Sequence, residues 1–204
     1  MERDSPLLDD AVLRAAAVVI AEHGWHDFTL ERVAEAAGMS RVTLYRRGVT
    51  KDVLVDALTV GAAQAWQAAL WPALTGPGKA ADRLRAALQA CCDVVEQHLP
   101  LLAGLSTAPD PIFHLDDPTP GQHGTRDVYL RPFERLLYDG QADGSLTSPL
   151  EPTETAALLF NVVPRVYLHL RVAHGWAPER AAGGLFALLL PAVLTASPDT
   201  PGDG

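Results

Sequence analysis

From Ser40 to Arg47 the chain reads Ser40-Arg41-Val42-Thr43-Leu44-Tyr45-Arg46-Arg47, and no acid interrupts it. Wound as a helix at about 100° per residue, Arg41, Val42, Tyr45 and Arg46 share one side, while Leu44 lies on another with Ser40 and the stem of Arg47. Each group on the first side has work to do against a nucleic-acid duplex. Arginine donates in pairs to a guanine edge or clamps a phosphate, and the methyls of Val42 suit a thymine methyl. Tyr45 donates to a phosphate oxygen and so positions without reading sequence, a role open to Thr43 as well. Lys51 follows at a helix start, where free amides and the helix dipole favour an anion. Thr29, at the mouth of an earlier helix, and Ser40 complete the candidate DNA-binding set.

The elements that carry this set are legible from their caps. A first helix is expected from about Leu7 to His23, started by Ser5-Pro6 and ended by Gly24. Trp25 and Phe28 then seal a small core. Thr29 caps a second helix from about Leu30 to Ala37, with Phe28 and Val33 placed as a hydrophobic staple. Gly38-Met39-Ser40 is a three-residue turn with glycine where a left-handed residue is needed, and Ser40 caps a short third helix, Arg41 to about Arg47. Two helices joined by such a turn are the helix-turn-helix pattern. Gly48 stops the third helix, and Thr50 caps a long fourth one from Lys51 to about Leu70, closed before Pro72.

The residues from Leu13 to Leu54 resemble the DNA-binding domain of the TetR family of transcriptional repressors. The resemblance rests on Leu13-Arg14-Ala15-Ala16, Ala21-Glu22-His23-Gly24-Trp25, Phe28 through Ser40, Thr43-Leu44-Tyr45 and Thr50-Lys51-Asp52-Val53-Leu54. It implies a two-fold dimer with recognition helices in successive major grooves, and an effector pocket in the C-terminal domain whose filling releases palindromic operator DNA. It also implies that Thr43 and Leu44 are partly buried, that Tyr45 and Lys51 hold phosphates, and that Arg41, Val42 and Arg46 lie nearer the bases. One departure stands out. The family's Tyr-x-x-Phe reads Tyr45-Arg46-Arg47-Gly48 here, which leaves Val49 or Trp25 to fill the space of the missing phenylalanine.

Beyond Leu70 the sequence predicts helices at Ala80–Glu96, Leu99–Leu105, Arg126–Tyr138, Glu154–His174 and Glu179–Leu190. Pro109–Gly124 reads as a loop, Asp139-Gly140 and Asp143-Gly144 as turns, and Pro164 as a kink. The expected fold is all-α: a three-helix helix-turn-helix domain at 7–50, a helical effector-binding and dimerisation domain at 51–196, and a disordered tail at 197–204. The last two long helices are apolar on more than one face, so they are expected to make a homodimer. Pocket candidates for a small apolar or amphipathic effector are Trp66, Phe113, Tyr129, Phe133, Phe160 and Tyr167, with His98, His123 or His169 as polar handles. An effector among these helices would shift the fourth helix and so change the spacing of the two recognition helices.

Composition sets the remaining bounds. The 204 residues are 48% hydrophobic and 20% charged, as expected of a compact globule. The net charge of −9 argues against nonspecific nucleic-acid binding by the chain as a whole, so any DNA contact falls to the local basic patch. No continuous apolar run reaches membrane-spanning length, Gly183–Leu194 being too short and closed by Pro191. Met1-Glu2-Arg3-Asp4-Ser5-Pro6 has no signal core, so a cytoplasmic protein with no membrane partner is expected. Cys91 and Cys92, adjacent and without a second pair, read as small buried side chains. His169 and His174 are spaced wrongly for a metal pair, and His114 with Asp116 and Asp117 falls in a loop, so neither metal nor cofactor is expected. No phosphate loop or nucleophile elbow appears, which makes an enzyme unexpected. The competing reading is a helical protein-interaction module whose helix-turn-helix no longer binds DNA.

Overall fold

The computed structural model describes residues 8–106 and 129–194, and these are helical almost throughout. In chain order the helices are α1 (Asp10–His23), α2 (Leu30–Ala36), α3 (Arg41–Arg46), α4 (Lys51–Thr75), α5 (Ala80–Gln97), α6 (Leu99–Leu105), α7 (Arg131–Asp143), α8 (Pro152–Val172) and α9 (Pro178–Leu189). A 3-10 turn at Leu190–Ala192 follows, and an isolated antiparallel bridge joins Leu146 to Leu194. The expected loop at 109–124, the start of the helix expected from Arg126, and the tail lie outside the described residues.

The described residues fall into two compact units, 8–65 with 97–106, and 66–96 with 129–194. In the first, α1 packs on α2 and α6, and α2 packs on α3. Val12, Ile20, Val33 and Leu44 are fully buried in its core, joined by Phe28, Val49 and Leu54. The close fit of α6 has a specific cause at Gly104. A Cβ on that residue would stand 2.0 Å from the Ile20 carbonyl oxygen, so only glycine lets the two backbones meet there. The Trp25 amide then donates to the Gly104 carbonyl at 3.0 Å.

In the second unit α8 packs between α7 and α9. The N-terminus of α5 is capped from a distance, since the Ala80 amide donates to the Asp143 carboxylate at 2.9 Å and the Ala81 amide to Ser145 Oγ at 3.1 Å. Hydrogen bonds from the Ser145 side chain, the Ala80 amide and the Ser145 amide hold the Asp143 carboxyl below its ordinary range.

Three expectations are corrected. Helix α1 starts at Asp10 rather than Leu7, because Asp9 accepts the Ala11 amide at 3.0 Å and so makes the cap. Helix α4 runs through Pro72 to Thr75, where the carbonyls of Ala73 and Leu74 are taken up by the Arg83 guanidinium. A proline costs a helix its own amide bond and crowds the preceding turn, but one in the last turn of a long helix leaves the rest intact. Asp139-Gly140 is no turn, because both lie inside α7. Asp139 bridges Arg83 and Arg135, at 3.3 and 2.8 Å, and Gly140 makes room for Leu146, whose side chain a Cβ would meet at 2.3 Å. Gly144 is the residue that ends the helix, at φ +74°.

Among the described residues α4 alone is long and apolar enough to cross a membrane by length and composition, with a mean hydropathy of 1.2 over its most apolar window, 17% of which is buried. Asp52, Asp56, Gln64 and Gln67 interrupt its apolar residues, so no continuous run shows in the sequence.

Gly104 and Gly61 make a matched test. Gly61 sits mid-helix with nothing within 4 Å of a Cβ. Gly61→Ala is expected to stabilise by about 0.5–1 kcal/mol. Gly104→Ala is expected to destabilise by about 1–3 kcal/mol through overpacking. Urea unfolding of the two variants beside the parent checks the opposite signs.

Candidate nucleic-acid interface and effector cluster

Helix α3 has six residues, too few to hold its own conformation in water. Local caps and one anchor keep it in place. Ser40 Oγ accepts the Thr43 amide at 3.1 Å and shares a hydrogen with Thr43 Oγ1 at 2.8 Å. Leu44 is fully buried and ties the helix to Val33 and Ala34 in the core. Val49 is 1% exposed, and its amide donates to the Leu44 carbonyl at 3.1 Å, so it occupies core space beside the end of α3, with Trp25 partly buried against the same core. Gly38 at φ +66° and Gly48 at φ +70° make the two turns that bracket this helix.

With Leu44 turned inward, the opposite side faces solvent. Val42 is 58% exposed and Tyr45 80%, an unusual outlay of apolar and aromatic surface for residues with no structural work to do. Arg41 and Arg46 flank them, both exposed. Arg41 is paired with Glu31 of α2 at 2.8 Å, an exposed ion pair that competes only weakly with a stronger acceptor. Glu31 escaped the sequence reading because the partner lies across the turn. Thr29 Oγ1 accepts the Arg32 amide at 3.4 Å, which leaves its hydroxyl hydrogen to donate outward.

Lys51 opens α4, with Thr50 Oγ1 accepting the Val53 amide at 3.2 Å. Its ammonium stands 4.1 Å from the Trp25 ring centroid and 5.3 Å from that of Phe28. Thr29, Ser40, Arg41, Val42, Thr43, Tyr45, Arg46 and Lys51 thus all belong to the first unit, spread over the start of α2, the whole of α3 and the start of α4.

The pocket candidates divide. Trp66, Tyr129 and Phe160 form one aromatic cluster, with centroid separations of 5.7, 5.7 and 5.3 Å and largely edge-on geometry about Trp66. Trp66 is 6% exposed, and its indole N–H is buried with no acceptor. Burial pushes the Tyr129 phenol above its ordinary range.

Tyr167 and Phe133 have other surroundings. The Tyr167 hydroxyl donates to Glu96 at 3.0 Å, in the wall of a groove it shares with Asp93 and Phe186, and Phe133 is 1% exposed in the core. Phe113 and His123 lie outside the described residues, as do His114, Asp116 and Asp117. His98 precedes α6, and His169 stacks edge-on against His174 with centroids 5.0 Å apart, because the chain leaves the helix at Val172 and turns back. Among the described residues no group of three metal-ligating side chains converges. Cys91 and Cys92 are both buried thiols; burial raises the Cys91 pKa well above its ordinary value and pushes Cys92 up to about 12.

The strongest polar cluster in the second unit was not visible in the sequence. Glu96 of α5 accepts from Arg171 of α8 through both oxygens, at 2.7 and 2.8 Å, as well as from Tyr167. The Arg171 hydrogen bond holds the Glu96 carboxyl below its ordinary range against desolvation, with Tyr167 adding to the effect. Desolvation and then the Glu96 bond raise the Tyr167 phenol.

A three-helix unit whose short third helix is anchored inward by one leucine and offers cations and a phenol outward has the helix-turn-helix architecture. Residues 12–58 match the sequence model of the bacterial regulatory proteins of the tetR family. No curated protein matches the sequence.

Solved structures share the fold. SmeT, the repressor of the Stenotrophomonas maltophilia multidrug efflux pump SmeDEF, aligns with a TM-score of 0.70 at 20% identity, over 98% of this chain and 97% of that one. The ketosteroid transcriptional regulator KstR2 of Mycobacterium tuberculosis aligns at 0.65 and 17% identity, over 91% and 94%. AibR in complex with isovaleryl coenzyme A and operator DNA aligns at 0.65 and 20% identity, over 90% and 98%.

A carboxyl depressed in the folded state contributes stability that is present above its unfolded pKa and is lost as pH falls through the folded value. Glu96→Gln is therefore expected to destabilise by about 2 kcal/mol at neutral pH, with the difference from the parent shrinking once pH drops below about 4. Denaturant midpoints for both proteins across that range check the trend.

Proposed function

We propose that the chain is a ligand-responsive transcriptional repressor that grips palindromic operator DNA as a homodimer and lets go when a small molecule binds. The observation that carries this reading is α3, locked inward by Leu44 while Val42 and Tyr45 stand exposed between Arg41 and Arg46. Arg41, Val42 and Arg46 then meet base edges, while Tyr45, Lys51, Thr29, Ser40 and Thr43 hold or position phosphates. The release of Arg41 from Glu31 accompanies docking.

The rest of the chain supports a sensing role. SmeT is named a repressor, and AibR is described with both an acyl coenzyme A and operator DNA. Trp66, Tyr129 and Phe160 offer an apolar aromatic wall with one unused donor, which suits an apolar or amphipathic effector. Helix α4 carries both Lys51, at its start, and Trp66 of the aromatic cluster, so both lie on one helix. We divide the chain at the start of that helix, with DNA binding at 7–50 and sensing and dimerisation at 51–196.

For the dimer, α8 and α9 leave apolar side chains uncovered: Leu158 is 51% exposed, Val166 38% and Leu188 79%. That is the kind of surface a second copy buries in an isologous pair.

Sequencing the duplexes that the protein selects from a random pool, with footprinting, tests the function; two half-sites about one helical turn apart are expected. Selection of no duplex points instead to an interaction module. Arg46→Ala is expected to relax preference at one base position by about tenfold, whereas Tyr45→Phe weakens all sequences alike. Leu188→Glu is expected to give monomers in sedimentation experiments and to lose operator binding. A variant that stays dimeric moves the interface elsewhere.

A further inference from the structure

Lysine at a helix start is a flexible point charge, and four side-chain torsions normally spread its ammonium over a wide volume. In this chain the ammonium of Lys51 is confined above two aromatic rings, 4.1 Å from the centroid of Trp25 and 5.3 Å from that of Phe28. The rings themselves lean together, with centroids 5.9 Å apart. Among the described residues no carboxylate stands within ion-pair distance of Lys51, in contrast to Arg41, which Glu31 holds. An aromatic face attracts an ammonium without occupying all of its hydrogens, so the remaining N–H groups stay free to donate.

Trp25 is tied down on its other side. Its amide donates to the Gly104 carbonyl at 3.0 Å, at the point where α6 meets α1 with no room for a Cβ. One residue therefore joins the seat of α6 to the first side chain of α4.

We propose that Trp25 is a positioning residue that holds the Lys51 ammonium in place for a DNA phosphate and links that contact to the seating of α6. The proposal rests on the DNA-binding reading. It goes beyond that reading in making the aromatic after Gly24 part of the DNA grip rather than a core filler. A movement of α6 relative to α1 strains the Trp25 amide bond, tilts the indole and releases the lysine, so phosphate affinity falls without any change at α3.

The test combines duplex binding with a measurement on the free protein. In the full-length protein the Lys51 ε-methylene protons are expected to resonate upfield from the indole ring current, and to return to ordinary values in Trp25→Leu. With a mixed-sequence duplex as probe, Trp25→Leu is expected to weaken binding about fivefold and to lower the salt slope by about one, as Lys51→Met does. In a Lys51→Met background the same Trp25 change is expected to cost less than about twofold, because the residue it acts through is gone. Trp25→Phe, which keeps a π-face, is expected to retain most of the affinity. Should Trp25→Leu fail to fold, Trp25→Met fills the space without a π-face and serves in the same cycle. Gly104→Ala, if folded, is expected to move the Lys51 resonance.

Equal losses from the Trp25 change in both backgrounds overturn the positioning role, and so does an ordinary Lys51 shift in the parent. A shifted Lys51 in a parent that binds no duplex overturns the DNA-binding reading and the phosphate role, while the pairing itself stands. A Lys51 resonance unmoved in folded Gly104→Ala removes the link to α6.

Discussion

A six-residue helix has no stability of its own, so everything α3 does depends on the burial of Leu44. Burying one leucine is worth roughly 1.5–3 kcal/mol, enough to fix a single turn and a half whose ends are already capped. Ser40 and Gly48 limit the helix, Val33 and Ala34 receive its leucine, and Val49 fills the space beside it. Because the anchor is a single residue on one face, the other face is free to carry groups chosen for a partner rather than for packing. Anchoring and display are two sides of the same helix.

The charge arrangement follows the same economy. The chain is acidic overall, at −9, and its cations around α3 are few. Three of them are held in different ways. Arg41 is balanced by Glu31 across the turn, Arg47 reaches toward the Met39 sulfur, and Lys51 is held by aromatic rings rather than by a carboxylate. An exposed ion pair exchanges at little cost. A cation over a ring loses little of its capacity to donate. Both arrangements hold long side chains in order while leaving them available, which on the proposed reading lowers the entropy that a duplex contact would cost.

Among the described residues of the second unit, several polar links join separate helices. Glu96 binds Arg171 and Tyr167, Arg83 closes the end of α4 and meets Asp139, and Asp143 caps α5. Against these satisfied groups the indole N–H of Trp66 is an exception, since a buried donor without an acceptor is costly to keep. It lies between the rings of Tyr129 and Phe160.

The order of helices, the three-residue turn, the caps at Thr29, Ser40 and Thr50, and the outward set on α3 were all legible in the sequence, because each depends on residues within a turn or two of one another. Local chemistry is written locally. Apart from the start of α1, which the neighbouring Asp9 sets, a distant residue altered the outcome where the reading failed. Asp139-Gly140 has turn composition but is helical because Arg83 and Leu146 use it for packing, and α4 continues past Pro72 because Arg83 takes up its last carbonyls. The Glu96–Tyr167–Arg171 cluster, the Glu31–Arg41 pair and the seat of α6 on Gly104 leave no spacing signal, since their partners come from separate elements. The sequence by itself determined which segments are helical and which short helix faces outward. Only the tertiary structure decided what each charged or aromatic side chain leans on, because those contacts exist only once distant turns of the chain have been packed together.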